Sequence, residues 1–406
     1  MSLGRIAVVG QGYVGLPLSI CAAEAGWNVV GIDVNSEIVQ SLGHGISHIE
    51  DVDSTRIKVL LDSFYEVTTD FSMIKNCKVV IICVPTPLDK NNKPDLHYLT
   101  IAANLVADNI EDNTLIISES TSFPGTLRNI VAAEIMNKNR DKKLKFAVAP
   151  ERVNPGDKNW NQKNTPRLVG GIDELSTLEA IAFYKTICDQ VFATSTPEVA
   201  ETAKLLENSF RLINISMINE FSRICLDSGI PVREVIDAAA TKPYGFMPFW
   251  PSSGIGGHCI PIDPVYLTEW AKSKGHNLSF IETASQFNMQ LGELLIQRIE
   301  NHGFKIGQGS RVLILGVSYK PGISDSRETP ANSIRDAIKK RGGEIEWFDP
   351  LVNQWNGETQ SSFSSHFDFA IISTNQSGLP INRILEKDIT IFDATFSQIN
   401  PKILQI

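Results

Sequence analysis

The stretch that decides the fold is RIAVVGQGYVGLPLSICAAEAGWNVVGIDV, residues 5 to 34. RIAVVG is a short, unbroken apolar run of strand length. Residues 16 to 26 suit a helix, and NVVGIDV reads as a second strand. Between the first strand and the helix stand Gly10, Gly12 and Gly15 in the pattern G-x-G-x-x-G, with Tyr13 and Val14 inside it. Asp33 closes the second strand about twenty residues on, where an acid is expected in a dinucleotide-binding unit. The first glycine serves a tight turn, the second close backbone approach to a pyrophosphate, and the third packing of helix on strand. The helix N-terminus adds positive potential for the phosphates. Asp33 would bond a ribose hydroxyl and repel a 2′-phosphate, so the stretch predicts NAD rather than NADP.

Working outward, VVIICVP, TLIISES, KFAVAP and PRLVGG read as further strands, with helical segments between several of them. This alternation predicts a parallel, doubly wound sheet over about residues 1 to 195. An unbroken helical pattern then runs from Pro197 to Asp227, with a proline suited to its start and Gly229 and Pro231 suited to its stop. At 1.5 Å per residue it would extend roughly 50 Å, long enough to join two domains. From residue 308 RVLILGV, ANSIRDAIKKRG, EIEWFDP, FDFAIIST and ITIFDAT restore the alternation without the glycine fingerprint. The expected fold is α/β, two Rossmann-like parallel-sheet domains joined by a long central helix. Its parts are 1–196 for NAD, 197–303 as a central helical domain with a cysteine loop, and 304–406 as a second Rossmann-like domain.

Bulk properties narrow the function. A chain of 406 residues holds two or three domains, and 42% hydrophobic with 20% charged residues is ordinary globular composition. The net charge of -9 speaks against a nonspecific nucleic-acid surface. No basic segment leads into a long apolar one at the N-terminus, and the longest apolar runs are strand-sized, so neither a signal peptide nor a membrane span is expected. Six scattered cysteines with no C-x-x-C pair predict reduced thiols in a cytoplasmic protein and no metal site.

Two places carry candidate chemistry. Lys204 and Asn208 are four apart on the long helix and share a face, although Ala203, Leu205, Leu206, Phe210 and Ile213 around them read as a core-facing surface. A lysine there ordinarily snorkels to water. GIGGHCIPIDP, residues 254 to 264, has neither helical nor strand periodicity. Its glycines strip side chains from around Cys259, which would let a substrate carbon approach a nucleophilic thiolate. His258 points away from its neighbour in an extended loop and reads as structural. NAD with a thiol fits aldehyde-level oxidation, in which sulfur adds to the carbonyl, hydride leaves, and water cleaves a thioester. Lys204 and Asn208 could then stabilise an oxyanion, and Asp263 or Glu151 could handle protons.

GQGYVGLPL, VPTP, ESTSFPGT, APERVNPGD, ETAKLLENSFR, GIGGHCIPIDP and GVSYKPGISDSRETP, in this order, resemble the nucleotide-sugar 6-dehydrogenases, the UDP-glucose/GDP-mannose dehydrogenase family, along the whole chain. The resemblance implies two NAD+ used in succession to take a sugar C6 alcohol to a carboxylate, the second step through a cysteine thioester. It implies Cys259 as nucleophile, with Thr121 and Glu151 working on water, Lys204 and Asn208 holding the oxyanion, and Asp263 beside them. It implies cofactor contacts from the fingerprint residues, from Val84, Pro85, Thr86, Ser120 and Thr121, and from Arg327. Substrate contacts are implied for Glu151, Arg152, Val153, Lys204, Asn208, Arg211, Phe249, Gly256, Cys259 and Lys320. PERVNPGD and TKPYGFMPFWP resemble the N-acetylhexosamine branch, so UDP-N-acetylglucosamine is the expected substrate. UDP-glucose and UDP-N-acetylmannosamine or -galactosamine are the alternatives. The chain departs from that branch at Pro251-Ser252-Ser253-Gly254, which stands where P-G-P-G is usual. A homodimer is the family expectation.

Overall fold

The pleat read in RIAVVG is visible in what each residue touches. Ile6 and Val8 enter the core on one face of the sheet, and Ala7 and Val9 enter the core on the other, the period-two alternation of a strand buried on both sides. The computed structural model describes residues 2–406 apart from 62, 155, 158, 364, 365 and 399. By its internal contacts the chain forms two compact units, Met1–Glu207 with Val265–Gly275, and Asn208–Pro264 with His276–Ile406.

The first unit is built on eight strands: β1 Gly4–Val9, β2 Trp27–Ile32, β3 Tyr65–Thr68, β4 Val79–Ile82, β5 Leu115–Ser118, β6 Lys145–Val148, β7 Arg167–Gly171 and β8 Val191–Ala193. They lie in the order β3-β2-β1-β4-β5-β6-β7-β8. The order reverses direction between β1 and β4, which puts a ligand crevice at the C-terminal ends of those two strands. The sheet departs from the fully parallel one expected, because β7 runs antiparallel to β6, pairing Gly171 with Ala147 and Gly170 with Val148. The strands not anticipated are β3 and β8. Both are short, and β8 is largely exposed, so neither has the apolar run that marks a buried strand.

The helix Pro197–Asp227 forms over its full expected length and ends ahead of Gly229, at φ +67°. Its surface near residue 204 differs in part from the one expected: Leu205 is buried as expected, but so is Lys204. Lys204 is 6% exposed, whereas Leu206 is 62% exposed and Phe210 is exposed too. An apolar run along one helix does not reveal which side has a neighbour, and here the lysine side has it.

The second unit carries a parallel sheet of β9 Arg311–Leu315, β10 Glu344–Phe348, β13 Phe369–Ile372, β14 Thr390–Asp393 and β15 Ile403–Gln405, in the order β10-β9-β13-β14-β15. A small hairpin of β11 Gln354–Trp355 and β12 Glu358–Thr359 lies outside it. Val312 and Ile314 pack on one face and Leu313 and Leu315 on the other, so this sheet too is covered on both sides. Its order reverses between β9 and β13, giving a second switch point.

Candidate active site

At the first switch point the three glycines divide the work as their spacing predicts. Gly10 has φ +92°, and a Cβ there would lie 2.5 Å from the Cys83 carbonyl oxygen. A Cβ at Gly15 would lie 1.8 Å from the Gly10 carbonyl oxygen, so the helix Gly15–Glu24 can start there only on a glycine. A Cβ at Gly12 would meet nothing within 4 Å, the bare, open backbone that a pyrophosphate needs. Tyr13 and Val14 are half-buried against the core beside this turn. Asp33 Oδ2 accepts the Gln11 N–H at 2.8 Å and Oδ1 the Asn35 N–H at 2.9 Å. Each oxygen keeps lone-pair capacity for a ribose hydroxyl. The turn therefore fits NAD.

VPTP and ESTS end the adjacent parallel strands β4 and β5, and the Ser120 hydroxyl donates to the Val84 carbonyl at 2.7 Å. Pro85 is exposed, Thr86 buried and Thr121 half-buried at this same edge.

Glu151, following β6, sits in a buried ionic cluster. Its Oε1 accepts the N–H groups of Arg152 and Val153 at 2.7 and 2.6 Å; Oε2 accepts Gln162 Nε2 at 2.7 Å and Arg167 Nη1 at 3.1 Å. Burial pushes the Glu151 carboxyl up, but Arg167, the Val153 N–H and Gln162 outweigh it and hold the pKa low. Arg167 Nη1 also reaches Glu119 Oε2 at 3.3 Å, and the Tyr184 hydroxyl donates to Glu119 Oε1. Burial pushes Glu119 up to about 7. Lys204 adds its charge to both carboxylates, and no described residue accepts a hydrogen bond from its ammonium. The Arg152 fork grips Glu207 at 3.0 and 2.6 Å and the Pro166 carbonyl at 2.9 Å.

In the second unit, Asn208 Nδ2 donates to Asp263 Oδ2 at 2.6 Å, and Asp263 is buried. The cysteine loop turns directly into the helix Asp263–Ser273, because the N–H groups of Ile262 and Asp263 both donate to the Cys259 carbonyl, at 3.1 and 2.8 Å. Cys259 is exposed, Cys21 is half-buried and the other four cysteines are buried. Two of the loop's glycines are required by the chain around them. A Cβ on Gly256 would lie 2.5 Å from the Glu328 carbonyl oxygen, and one on Gly257 2.7 Å from the Tyr319 ring. They make room for the protein's own wall. Asn288 ties down the loop through the Ile255 N–H at 2.7 Å. At the divergent Pro251–Gly254 segment, Ser253 Oγ donates to the Ser373 carbonyl at 2.7 Å. Ser252 N–H donates to Asn219 Oδ1 at 2.8 Å.

Other expected contacts are placed in the second unit as follows. Phe249 packs edge-on against Phe210, with ring centroids 5.8 Å apart. Arg211 is exposed and Lys320 half-buried. Arg327 pairs with the buried Asp325 at 2.7 Å. Among the described residues no His, Cys, Asp and Glu group could hold a metal ion, and no helix is long and apolar enough to cross a membrane.

Three models of one family match the chain in order: an NAD binding domain over residues 4–188, a central domain over 198–290 and a UDP binding domain over 313–379. The chain belongs to the UDP-glucose/GDP-mannose dehydrogenase family. A UDP-N-acetyl-D-mannosamine dehydrogenase of Pyrococcus horikoshii is 34% identical over 357 residues, 86% of this chain and 84% of that one. A UDP-N-acetyl-D-glucosamine 6-dehydrogenase of Pseudomonas aeruginosa is 33% identical over 356 residues, 86% of this chain and 83% of that one. The solved structure of a UDP-D-ManNAc dehydrogenase from Pyrococcus horikoshii superposes with a TM-score of 0.90 at 31% identity, covering 99% of each chain. The protein is accordingly an NAD-dependent nucleotide-sugar dehydrogenase.

The candidate site also draws in residues that motif reading passed over. Gln11, inside the fingerprint, is fully buried and accepts the Tyr65 hydroxyl at 2.9 Å, fastening the cofactor turn to β3. Glu119, Gln162, Arg167 and Tyr184 were equally unmarked. Arg167 carried a signal, a charged residue opening the otherwise apolar strand RLVGG, since a buried arginine demands acceptors.

Proposed function

We propose that this dehydrogenase oxidises the C6 hydroxyl of a UDP-N-acetylhexosamine, UDP-N-acetylglucosamine first among them, to the uronate through a Cys259 thioester. NAD+ accepts hydride in each of two steps. The observation that carries the reading is the contrast among thiols: Cys259 is exposed on a loop pinned from several sides, while burial lifts Cys77 and Cys188 to about 11. In this reading Gly10, Gly12, Tyr13, Val14, Gly15, Asp33, Val84 to Thr86, Ser120, Thr121 and Arg327 serve the cofactor. Lys204, a buried ammonium with donors to spare, and Asn208 hold the oxyanion, while Asn208 also orients Asp263. Glu151, ionised by its partners, orders water with Thr121. Arg152, Val153, Arg211, Phe249, Gly256 and Lys320 serve the substrate. The partition into 1–196, 197–303 and 304–406 belongs to the same proposal.

The acetamido sugar rests on PERVNPGD and TKPYGFMPFWP and on relatives named for both the mannosamine and the glucosamine substrate. The test is NADH released per sugar consumed, across UDP-N-acetylglucosamine, UDP-N-acetylmannosamine, UDP-N-acetylgalactosamine and UDP-glucose. Two NADH with an acetamido sugar is the expected result. One NADH with aldehyde accumulating rejects the thioester, and a preference for UDP-glucose rejects the acetamido pocket. A homodimer is part of the proposal, because Phe210, Met217, Phe221 and Ile224 form an exposed apolar stripe at helical spacing. A monomeric mass in solution would refute it.

A further inference from the structure

Glu119 has no assigned task, yet it is 1% exposed at the end of β5, within the cluster that holds Glu151. A carboxylate in such a place needs strong partners, and the structure supplies two. The Tyr184 hydroxyl donates to one oxygen and Arg167 Nη1 reaches the other. That same Nη1 is also the donor to Glu151 Oε2. One guanidinium nitrogen thus serves two buried carboxylates, one with each of its N–H bonds, and its charge is shared between them. Arg167 is further oriented by Nη2 on Gln162 Oε1 at 2.5 Å and by its position 5.2 Å over the Tyr184 ring.

We propose that Glu119 is a positioning residue for Glu151, acting through Arg167: ionised Glu119 divides the guanidinium between two carboxylates, and protonated Glu119 yields it to Glu151. The inference deepens the reading of Glu151 as the group that orders water, and rests on it. The groups facing Glu119 are Arg167 of β7, Glu151 after β6, Tyr184 of the helix Glu174–Tyr184, Lys204 of the long helix, and the thiols Cys83 and Cys188. Both thiols are themselves pushed up by burial, which leaves Glu119 as the group of this cluster that changes charge near neutrality. Arg167 Nη1 is one of four N–H donors on Glu151, so a change in Arg167 alters the carboxylate directly. Two carboxylates against two cations become one against two when Glu119 takes up a proton.

The test is the pH dependence of kcat and kcat/KM with a UDP-N-acetylhexosamine for wild type, Glu119→Gln and Tyr184→Phe. Glutamine keeps an oxygen for Arg167 and offers its amide to the Tyr184 hydroxyl, so it stands for permanently protonated Glu119 without opening a hole. Wild type is expected to show a step near pH 7, and Glu119→Gln to lack it. Tyr184→Phe removes a bond that favours the ionised form, so the step should move to higher pH by about one unit or more. Profiles that are merely scaled down, with the step unmoved, overturn the proposal, as does a wild-type profile with no step near pH 7. Should Glu119→Gln fail to fold, the Tyr184→Phe shift decides alone. The count of NADH per sugar separates this from the function itself. Two NADH with an unmoved step sinks only the role of Glu119, and one NADH with a moved step sinks only the thioester.

Discussion

Gly12→Ala is the sharpest perturbation available at the cofactor turn, because neighbouring glycines provide the control. A Cβ at Gly12 meets nothing within 4 Å, and its φ lies outside the left-handed region. The substitution should therefore leave the unliganded fold intact. By trimming the unfolded chain's freedom it adds about 0.4–1 kcal/mol of stability. The new methyl occupies the space through which the pyrophosphate approaches, and overpacking of that kind costs about 1–3 kcal/mol. Transferred to binding, this is roughly 5- to 150-fold in Kd for NADH. Gly15→Ala is different in kind: its Cβ would lie 1.8 Å from the Gly10 carbonyl oxygen, so backbone must move. A loss of about 3 kcal/mol or more is expected there. NADH fluorescence titration and thermal unfolding without cofactor separate the two. Gly12→Ala should melt at or slightly above wild type and bind weakly, whereas Gly15→Ala should melt far lower. Binding within about twofold of wild type in Gly12→Ala would show that the open face is not where the dinucleotide lies.

Three further outcomes are expected. Cys259→Ser should abolish turnover and leave NADH affinity unchanged; in wild type, limited alkylation near neutral pH should reach Cys259 first, since a thiol at about 11 is ionised only about once in 10,000 molecules. Peptide mass spectrometry that finds Cys77 or Cys188 labelled ahead of it would contradict the assignment. Glu201 is buried on the long helix and accepts the N–H groups of Gly125 and Leu127 at 2.6 and 2.9 Å, while burial pushes its pKa from 4.5 up to about 7. The folded form then holds a proton that the unfolded chain releases, so stability falls as pH rises from about 4.5 to 7, by about 3 kcal/mol at most. Glu201→Gln should flatten the difference in melting temperature between pH 6 and pH 8; an unchanged difference would show that Glu201 is ionised throughout.

What could be read in advance followed from rules that are local in the chain. The glycine fingerprint, the acid at position 33 and the 31-residue helix each depend on spacing alone, and each stands where spacing put it. The face of that helix did not, because burial of Lys204 beside exposed Leu206 is decided by neighbours distant in sequence. The cysteine loop shows the same division. Its lack of side chains was legible, but one demand for it, the ring of Tyr319 and the carbonyl of Glu328, comes from more than sixty residues on. Antiparallel β7 and the Glu119–Arg167–Glu151 cluster also arise between strands, where a single sequence carries no register.

The two sheets show why a shared frame does not make two dinucleotide sites. Gly316 at the end of β9 has φ +76°, and its Cβ would lie 1.9 Å from the Thr374 carbonyl oxygen, just as Gly10 abuts Cys83. Asp349 follows β10 as Asp33 follows β2, and it accepts the N–H groups of Val317 and Ser318 at 2.9 and 3.2 Å. Two residues beyond the first glycine, however, the open Gly12 is matched by Ser318, fully buried, whose hydroxyl is engaged with Gln376 and the Lys320 carbonyl. Where Gly15 opens a helix, Pro321 continues a loop, and the next helix begins only at Pro330. The second switch point therefore has no helix N-terminus directly behind its first glycine, and at the first switch point that feature is what favours a pyrophosphate. It offers side-chain and carbonyl groups instead. Of the two switch points, the first, with an open Gly12 and a helix starting at Gly15, is the one whose backbone fits a dinucleotide.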